Sequence, residues 1–285
     1  MTKFWKPAVY AVLLMFLVSP VHAQDPKTLT LGFMPYLSAK NLLEKYTPLA
    51  RYLGEQLGQP VRLEIARNYQ EHIERTGRDE LDIAFLGGSP YVTIGDTYGK
   101  KPLLARYAFE GSPYFRAVIF TANNSDISSL KQLKGKKVAF GNINSTLSTQ
   151  VPLYMMMQRG VGLAQLGLHK HLRNHENVLH GVQFGVFDAG AVAEEVFREH
   201  MHLDIRLLAH SPMLSTHVFV ARSTMSKGLQ QRIRDALQTL HTTEKGGEVL
   251  KSINRKLSAF VPVKDTDYDL HRKILDQVLP ALKEP

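Results

Sequence analysis

A chain of 285 residues with a formal net charge of +9 and no cysteine excludes disulfide stapling and every thiol chemistry. Hydrophobic residues make up 44% of it, the share of an ordinary globular core. A positive surplus can favour anionic ligands, membranes or nucleic acid; here it lies in no dense basic block and is not interleaved with aromatics, which argues against nucleic acid and reads as charge dispersed over solvated faces.

The chain opens with Lys3 and Lys6, an apolar run from Ala8 to Val18, the breaker Pro20, and Val21-His22-Ala23. This is the pattern of a secretory signal peptide over 1–23, cleaved after Ala23, and it predicts an exported protein. The run is shorter than the about 20 residues that span a bilayer. A lipid anchor would need a cysteine at the cleavage site, so the mature form is expected to be a soluble monomer.

From there strands and helices alternate. Thr28 to Met34 reads as a strand ending at Pro35-Tyr36. Lys40 to Leu57 has helical periodicity, with Leu42, Leu43, Tyr46, Leu49, Ala50, Leu53 and Leu57 close to one face and Gly58 as its stop. Val61 to Ala66 is a strand, Tyr69 to Thr76 a helix, and Asp82 to Leu86 a strand closed by Gly87-Gly88. Leu103 to Phe109, Arg116 to Thr121 and Lys137 to Phe140 follow as strands. A helix is predicted from Ser145 to Arg159. Strands come next at Ala189 to Val192, Ile205 to Ala209 and Val218 to Ala221, then two or three helices from Lys227 onward. The alternation predicts an α/β protein with mostly parallel, helix-flanked sheets. The strands around Arg116 to Thr121 and His217 to Ala221 are the expected crossings between two lobes, with a ligand cleft between them.

The segment with most chemical content is Gly141-Asn142-Ile143-Asn144-Ser145-Thr146-Leu147-Ser148, directly after a strand and before a helix. A helix start offers unpaired N–H groups and a partial positive charge. Ser145, Thr146 and Ser148 add hydroxyls, and the set suits a small oxyanion. Capping alone would need only one such residue. Asp188, in Phe187-Asp188-Ala189-Gly190, is either a cap or a site carboxylate that accepts from a protonated ligand oxygen or an amine. Among His169, His171, His175 and His180 no standard zinc spacing occurs, so no metal or other cofactor is expected; His175 alone can donate to an anion. Tyr36 and Tyr91 each follow a proline near a strand end, where ligand crevices open. No Gly-x-Ser-x-Gly elbow, phosphate loop or His-Glu-x-x-His is present, so no enzyme is predicted.

Leu29-Thr30-Leu31-Gly32-Phe33-Met34-Pro35-Tyr36, Tyr46-Thr47-Pro48-Leu49-Ala50-Arg51-Tyr52-Leu53 and Leu81-Asp82-Ile83-Ala84-Phe85-Leu86-Gly87-Gly88-Ser89-Pro90-Tyr91 resemble the corresponding segments of periplasmic solute-binding proteins for phosphate, phosphite and phosphonates. The resemblance implies a two-lobed type II periplasmic-binding fold, closing by hinge motion, that delivers its ligand to an ABC transporter permease; a membrane sensor is the alternative partner. It implies residues 24–120 as the first part of lobe 1, 121–212 as lobe 2, and 213–285 as the return to lobe 1. Ser145, Thr146 and Pro152 match the family's anion motif, and Asp188 matches its second-lobe acid. Leu147 stands where a third hydroxyl is expected and Ser148 where a glycine is expected.

Overall fold

A computed structural model describes residues 1–2 and 27–283; the signal-peptide segment and Trp5 lie outside the described residues. Thirteen strands and nine α-helices are described among them. β1 (Leu29–Phe33), α1 (Ala39–Leu57), β2 (Val61–Ile65), α2 (Tyr69–Gly77), β3 (Ile83–Leu86), α3 (Gly88–Tyr98) and β4 (Leu103–Phe109) come first. After β5 (Tyr114–Phe115) the chain forms β6 (Ala117–Ala122), β7 (Lys137–Phe140), α4 (Val151–Met157), β8 (Leu168–His171), α5 (His175–Gln183), β9 (Ala189–Ala193), α6 (Glu194–Glu199) and β10 (Ile205–His210). It returns through β11 (Leu214–Ser215) to β12 (Val218–Ala221), α7 (Lys227–Gln238), α8 (Glu244–Ile253), β13 (Leu257–Val261) and α9 (Asp269–Lys283).

Two sheets result. The first runs β13-β4-β12-β3-β1-β2 and the second β10-β6-β9-β7-β8. Both are mixed. Each has a parallel half built by crossovers, β2-β1-β3 and β8-β7-β9. Each is completed by antiparallel strands, because the chain enters β6 and β12 from the junction between lobes and runs against the strands already laid down.

That junction differs from the sequence expectation. Ala117–Ala122 and Val218–Ala221 are interior strands of the two sheets, paired on both sides. The crossings are instead the short antiparallel pair β5 and β11 just before them. β6 and β12 carry buried side chains and serve as sheet interior, whereas a hinge needs few contacts. Arg106 ties the crossing to the first lobe, donating to Ser215 Oγ at 2.9 Å and lying 5.5 Å over the Tyr114 ring.

The predicted helix over 40–57 forms as α1. Ser38 caps it, accepting from the Asn41 N–H, and Gly58 ends it with a left-handed φ of 65°. Of its expected apolar face, Leu42, Tyr46, Leu49, Ala50, Leu53 and Leu57 are buried, whereas Leu43 lies off the stripe and is 46% exposed. The helix predicted from Ser145 begins as a wide π-type turn over Thr146–Gln150 before continuing as α4.

Candidate functional site

The carboxyl ends of the parallel strands in both sheets meet at one place, as expected for open α/β sheets. β1 delivers Tyr36, β3 delivers Gly87-Gly88-Ser89, β7 delivers the loop to Ser145 and Thr146, β8 leads to His175, and β9 leads to Glu194 and Glu195.

Ser145 is the N-cap of the helical run, its Oγ accepting from the Ser148 N–H at 3.2 Å. The same oxygen lies 3.4 Å from His175 Nε2. The ring's other nitrogen, Nδ1, accepts from the Ala193 N–H at 3.3 Å, which places the proton of the neutral imidazole on Nε2. Burial holds the His175 pKa down at about 3, so the ring is a neutral donor at physiological pH. Its backbone N–H donates to the Tyr36 carbonyl at 3.1 Å across the lobes. Tyr69, at the start of α2, also faces Ser145; burial raises its pKa and a hydrogen bond from Ser145 opposes the rise.

Thr146 reaches across the cleft. Its Oγ1 accepts from the Ser89 N–H at 2.9 Å, at the start of α3, so its own O–H remains a donor. The Ser89 hydroxyl is buried and has no protein partner. Tyr36 completes the wall. Tyr107 donates to Tyr46, and Tyr46 and Tyr36 share a 2.8 Å hydrogen bond. With Tyr107 as donor, Tyr46 has its proton for Tyr36, and the Tyr36 proton is available to a ligand. Burial raises the pKa of all three phenols, so they stay protonated. The Tyr36 ring lies 6.1 Å from His175 and 5.8 Å from His217. His217 stacks on Phe85 at 4.8 Å, keeps an unpartnered Nδ1, and is held at about 3 by burial and then by His175 and His271.

Three predicted site residues are placed elsewhere. Asp188 is exposed and accepts the Lys137 N–H at 2.7 Å. β7 and β9 are parallel, so the residue before β9 lies where β7 begins, roughly 15 Å of strand rise from its carboxyl end. Tyr91 turns to the outer side of the first sheet and donates to Asp265 at 2.7 Å. Ser148 is fully buried, its hydroxyl committed to the Ala191 carbonyl. Leu147, at 2% exposure, belongs to the apolar core and does not stand in place of a ligand donor. A helix start distributes successive side chains around its axis, so adjacent hydroxyls cannot all face one ligand.

Sequence reasoning missed Ser89, Glu195, His217 and the clasp residue Glu176. The Ser89 signal was present: Gly87-Gly88-Ser89 follows a buried strand and opens a helix, as 141–148 does. Glu195 follows the small-residue strand β9, as Glu194 does. Glu194 is bound by Arg116 at 3.1 Å and Arg198 at 2.7 Å, and Glu199 by Lys45 at 3.2 Å. Glu195 has no ion pair among the described residues. Burial first, then Glu199 and Glu194, push its pKa from 4.5 up to about 8. Glu176 clasps the lobes: one carboxylate oxygen accepts the Ser38 N–H at 2.8 Å and the other the Asn41 amide. No group of three or more His, Cys, Asp or Glu side chains able to hold a metal occurs among the described residues.

Fold and site together define a two-lobed, type II periplasmic binding protein with an oxyanion-type cleft. The family model for periplasmic substrate-binding proteins of phosphonate ABC transporters matches residues 31–268, and the chain belongs to that family. It is 26% identical over 282 residues to the phosphate-import protein PhnD of Mycolicibacterium smegmatis, covering 88% of this chain and 86% of that protein. It is 30% identical over 148 residues to the phosphonates-binding periplasmic protein of Escherichia coli, covering 50% of this chain and 44% of that protein. Among solved structures, PhnD1 of Prochlorococcus marinus in complex with methylphosphonate superposes with a TM-score of 0.81 at 21% identity, covering 90% of this chain and 99% of that one.

Proposed function

We infer that this protein captures a small phosphonate in the interlobe cleft and hands it to an ABC importer. The observation that carries this reading is the meeting of buried donors from both lobes, among which the Thr146, Ser89 and Tyr36 hydroxyl protons have no protein acceptor. Ser145, Thr146 and His175 come from the second lobe, and Ser89 and Tyr36 from the first. They surround the helical start at Thr146, whose first-turn N–H groups lack helical partners. All five are buried, so their bonds to an anion form out of water, where charge-assisted hydrogen bonds are strongest. No bond is made or broken in this role, and no cofactor is required. The family description supports a periplasmic location and a permease partner.

Glu195 takes over the part that Asp188 was expected to play. A carboxylate with a raised pKa and no counter-ion favours a ligand that brings its own cation. The preferred ligand is therefore an aminoalkylphosphonate. Titration calorimetry against phosphate, phosphite, methylphosphonate and 2-aminoethylphosphonate tests this, with 2-aminoethylphosphonate binding most tightly. Its affinity should rise with pH toward about 8 as Glu195 ionises, while that of methylphosphonate should not. Glu195→Gln should bring the two ligands together. No heat with any of the four would end the phosphonate reading. Recovery of a membrane kinase or cyclase in place of permease components in a pull-down would replace import with sensing.

A further inference from the structure

The cleft is not sealed on every side. Beneath Tyr36, Tyr46, Tyr107 and His217 lies a void of about 20 Å³, room for roughly one water. Beyond it, between α6 of the second lobe and the end of α8 in the first, a groove of about 740 Å³ opens to solvent. Lys45, Phe109, Glu195 and Asn254 border both, so the groove and the inner void are neighbours separated only by these side chains. The lobe-closing contacts Thr146 to Ser89 and Glu176 to Ser38 and Asn41 lie away from the groove, whereas the cross-lobe bonds of Lys45 and Asn254 to Glu199 border it, and the groove keeps its volume with all of them made. The groove volume falls in the range of about 300–1,000 Å³ typical of pockets for drug-sized ligands.

Its walls are largely neutralised. Glu194 pairs with Arg116 and Arg198, Glu199 with Lys45 and the Asn254 amide, and Glu110 with Lys256 at 2.9 Å. Glu195, at the junction, and the exposed Arg255 are the groove's ionisable groups left without an ion pair among the described residues. Phe109 and Phe115 give the groove an apolar side, and its outer end carries Tyr114 and Met213, 44% and 47% exposed.

We propose that the groove holds the organic substituent of the bound phosphonate while the lobes are closed, so that this protein accepts 2-aminoethylphosphonates whose nitrogen carries an alkyl chain several atoms long. The inference rests on the phosphonate reading. The headgroup occupies the donors around Ser145, the cationic nitrogen lies beside Glu195, and the remaining apolar chain runs along Phe109 and Phe115 toward Met213. Apolar burial along that path favours the longer chain.

The test compares 2-aminoethylphosphonate with its N-butyl and N-hexyl derivatives by calorimetry, on the wild-type chain, Met213→Trp and Ser112→Trp. The wild type should bind the N-alkyl ligands at least as tightly as the parent. A tryptophan in the groove should weaken the N-hexyl ligand tenfold or more and leave the parent within twofold. The introduced indole gives an independent readout, since the natural chain has one tryptophan, Trp5: its emission should shift on adding the N-hexyl ligand and not the parent. Wild-type affinity that drops tenfold from the parent to the N-butyl ligand overturns the groove proposal while leaving phosphonate binding intact. Equal loss for both ligands in both tryptophan variants also overturns it. Failure of the parent itself to bind overturns the phosphonate reading instead.

Discussion

Two strand-to-helix turns face each other across the cleft, one from each lobe, and they use their residues in opposite ways. The second-lobe turn after β7 is rich in hydroxyls. Yet Ser148 is spent on the Ala191 carbonyl and Thr149 on the Asn142 carbonyl at 2.9 Å, so Ser145 and Thr146 alone remain at the cleft. The first-lobe turn after β3 shows little beyond Gly87-Gly88-Ser89. Its one hydroxyl is buried and uncommitted, and its backbone meets Thr146 directly. A carbon on Gly87 would lie 2.9 Å from Thr146 Oγ1, so the glycine is what lets the two turns approach. Counting polar side chains in a motif therefore overstates the donors on the rich side and misses those on the poor side.

That contrast can be tested by substitution, beginning with the largest expected effect. Leu147→Ser would supply the hydroxyl that the family resemblance seemed to require. Because Leu147 lies in the core, denaturant unfolding should show a loss of about 2–4 kcal/mol, with no gain in phosphonate affinity. Ser145→Ala and Ser148→Ala then separate two chemically identical residues. Ser145→Ala should weaken ligand binding by about 1.5–3 kcal/mol, roughly tenfold to over a hundredfold. Ser148→Ala should lower stability by about 1 kcal/mol and leave calorimetric affinity unchanged. If both variants bind alike, the two turns do not differ as described.

Closure itself is the next comparison. Glu176→Ala removes two cross-lobe acceptor contacts at the start of α1 without touching a ligand donor. Solution scattering should show a larger ligand-free radius, and affinity should fall about tenfold, as expected when the binding-competent state is less populated. The last comparison is of pH dependence. Burial holds His72 at about 4 and His175, His217 and His271 at about 3, against an ordinary 6.5. A depressed histidine pKa contributes stability that is present above pH 6.5 and lost as pH falls toward 3. Glu195 runs the other way: its contribution is complete below pH 4.5 and is lost as pH rises toward 8. His217→Phe keeps the stacking on Phe85 and should flatten the acid limb by about 1.4 kcal/mol per pH unit, measured from unfolding free energies between pH 4 and 6.

The sequence by itself determined what depends on local pattern. The apolar stripe of α1 with its Ser38 and Gly58 ends, the compact strand β3, and the helix start at Ser145 are legible because periodicity, capping and glycine conformation act over a few residues. So are Tyr36 and His175 as cleft candidates, each at the end of an element. Tertiary structure alone decided which end of a strand a residue occupies and what lies opposite it. Parallel pairing of β7 and β9 sends Asp188 to the far pole and brings Glu195 to the cleft. The short crossing pair β5 and β11 swings Ser89 against Thr146, and Ser38 against Glu176, which are 57 and 138 residues apart in the chain. Such contacts arise from sheet order and hinge position, and no local pattern encodes them.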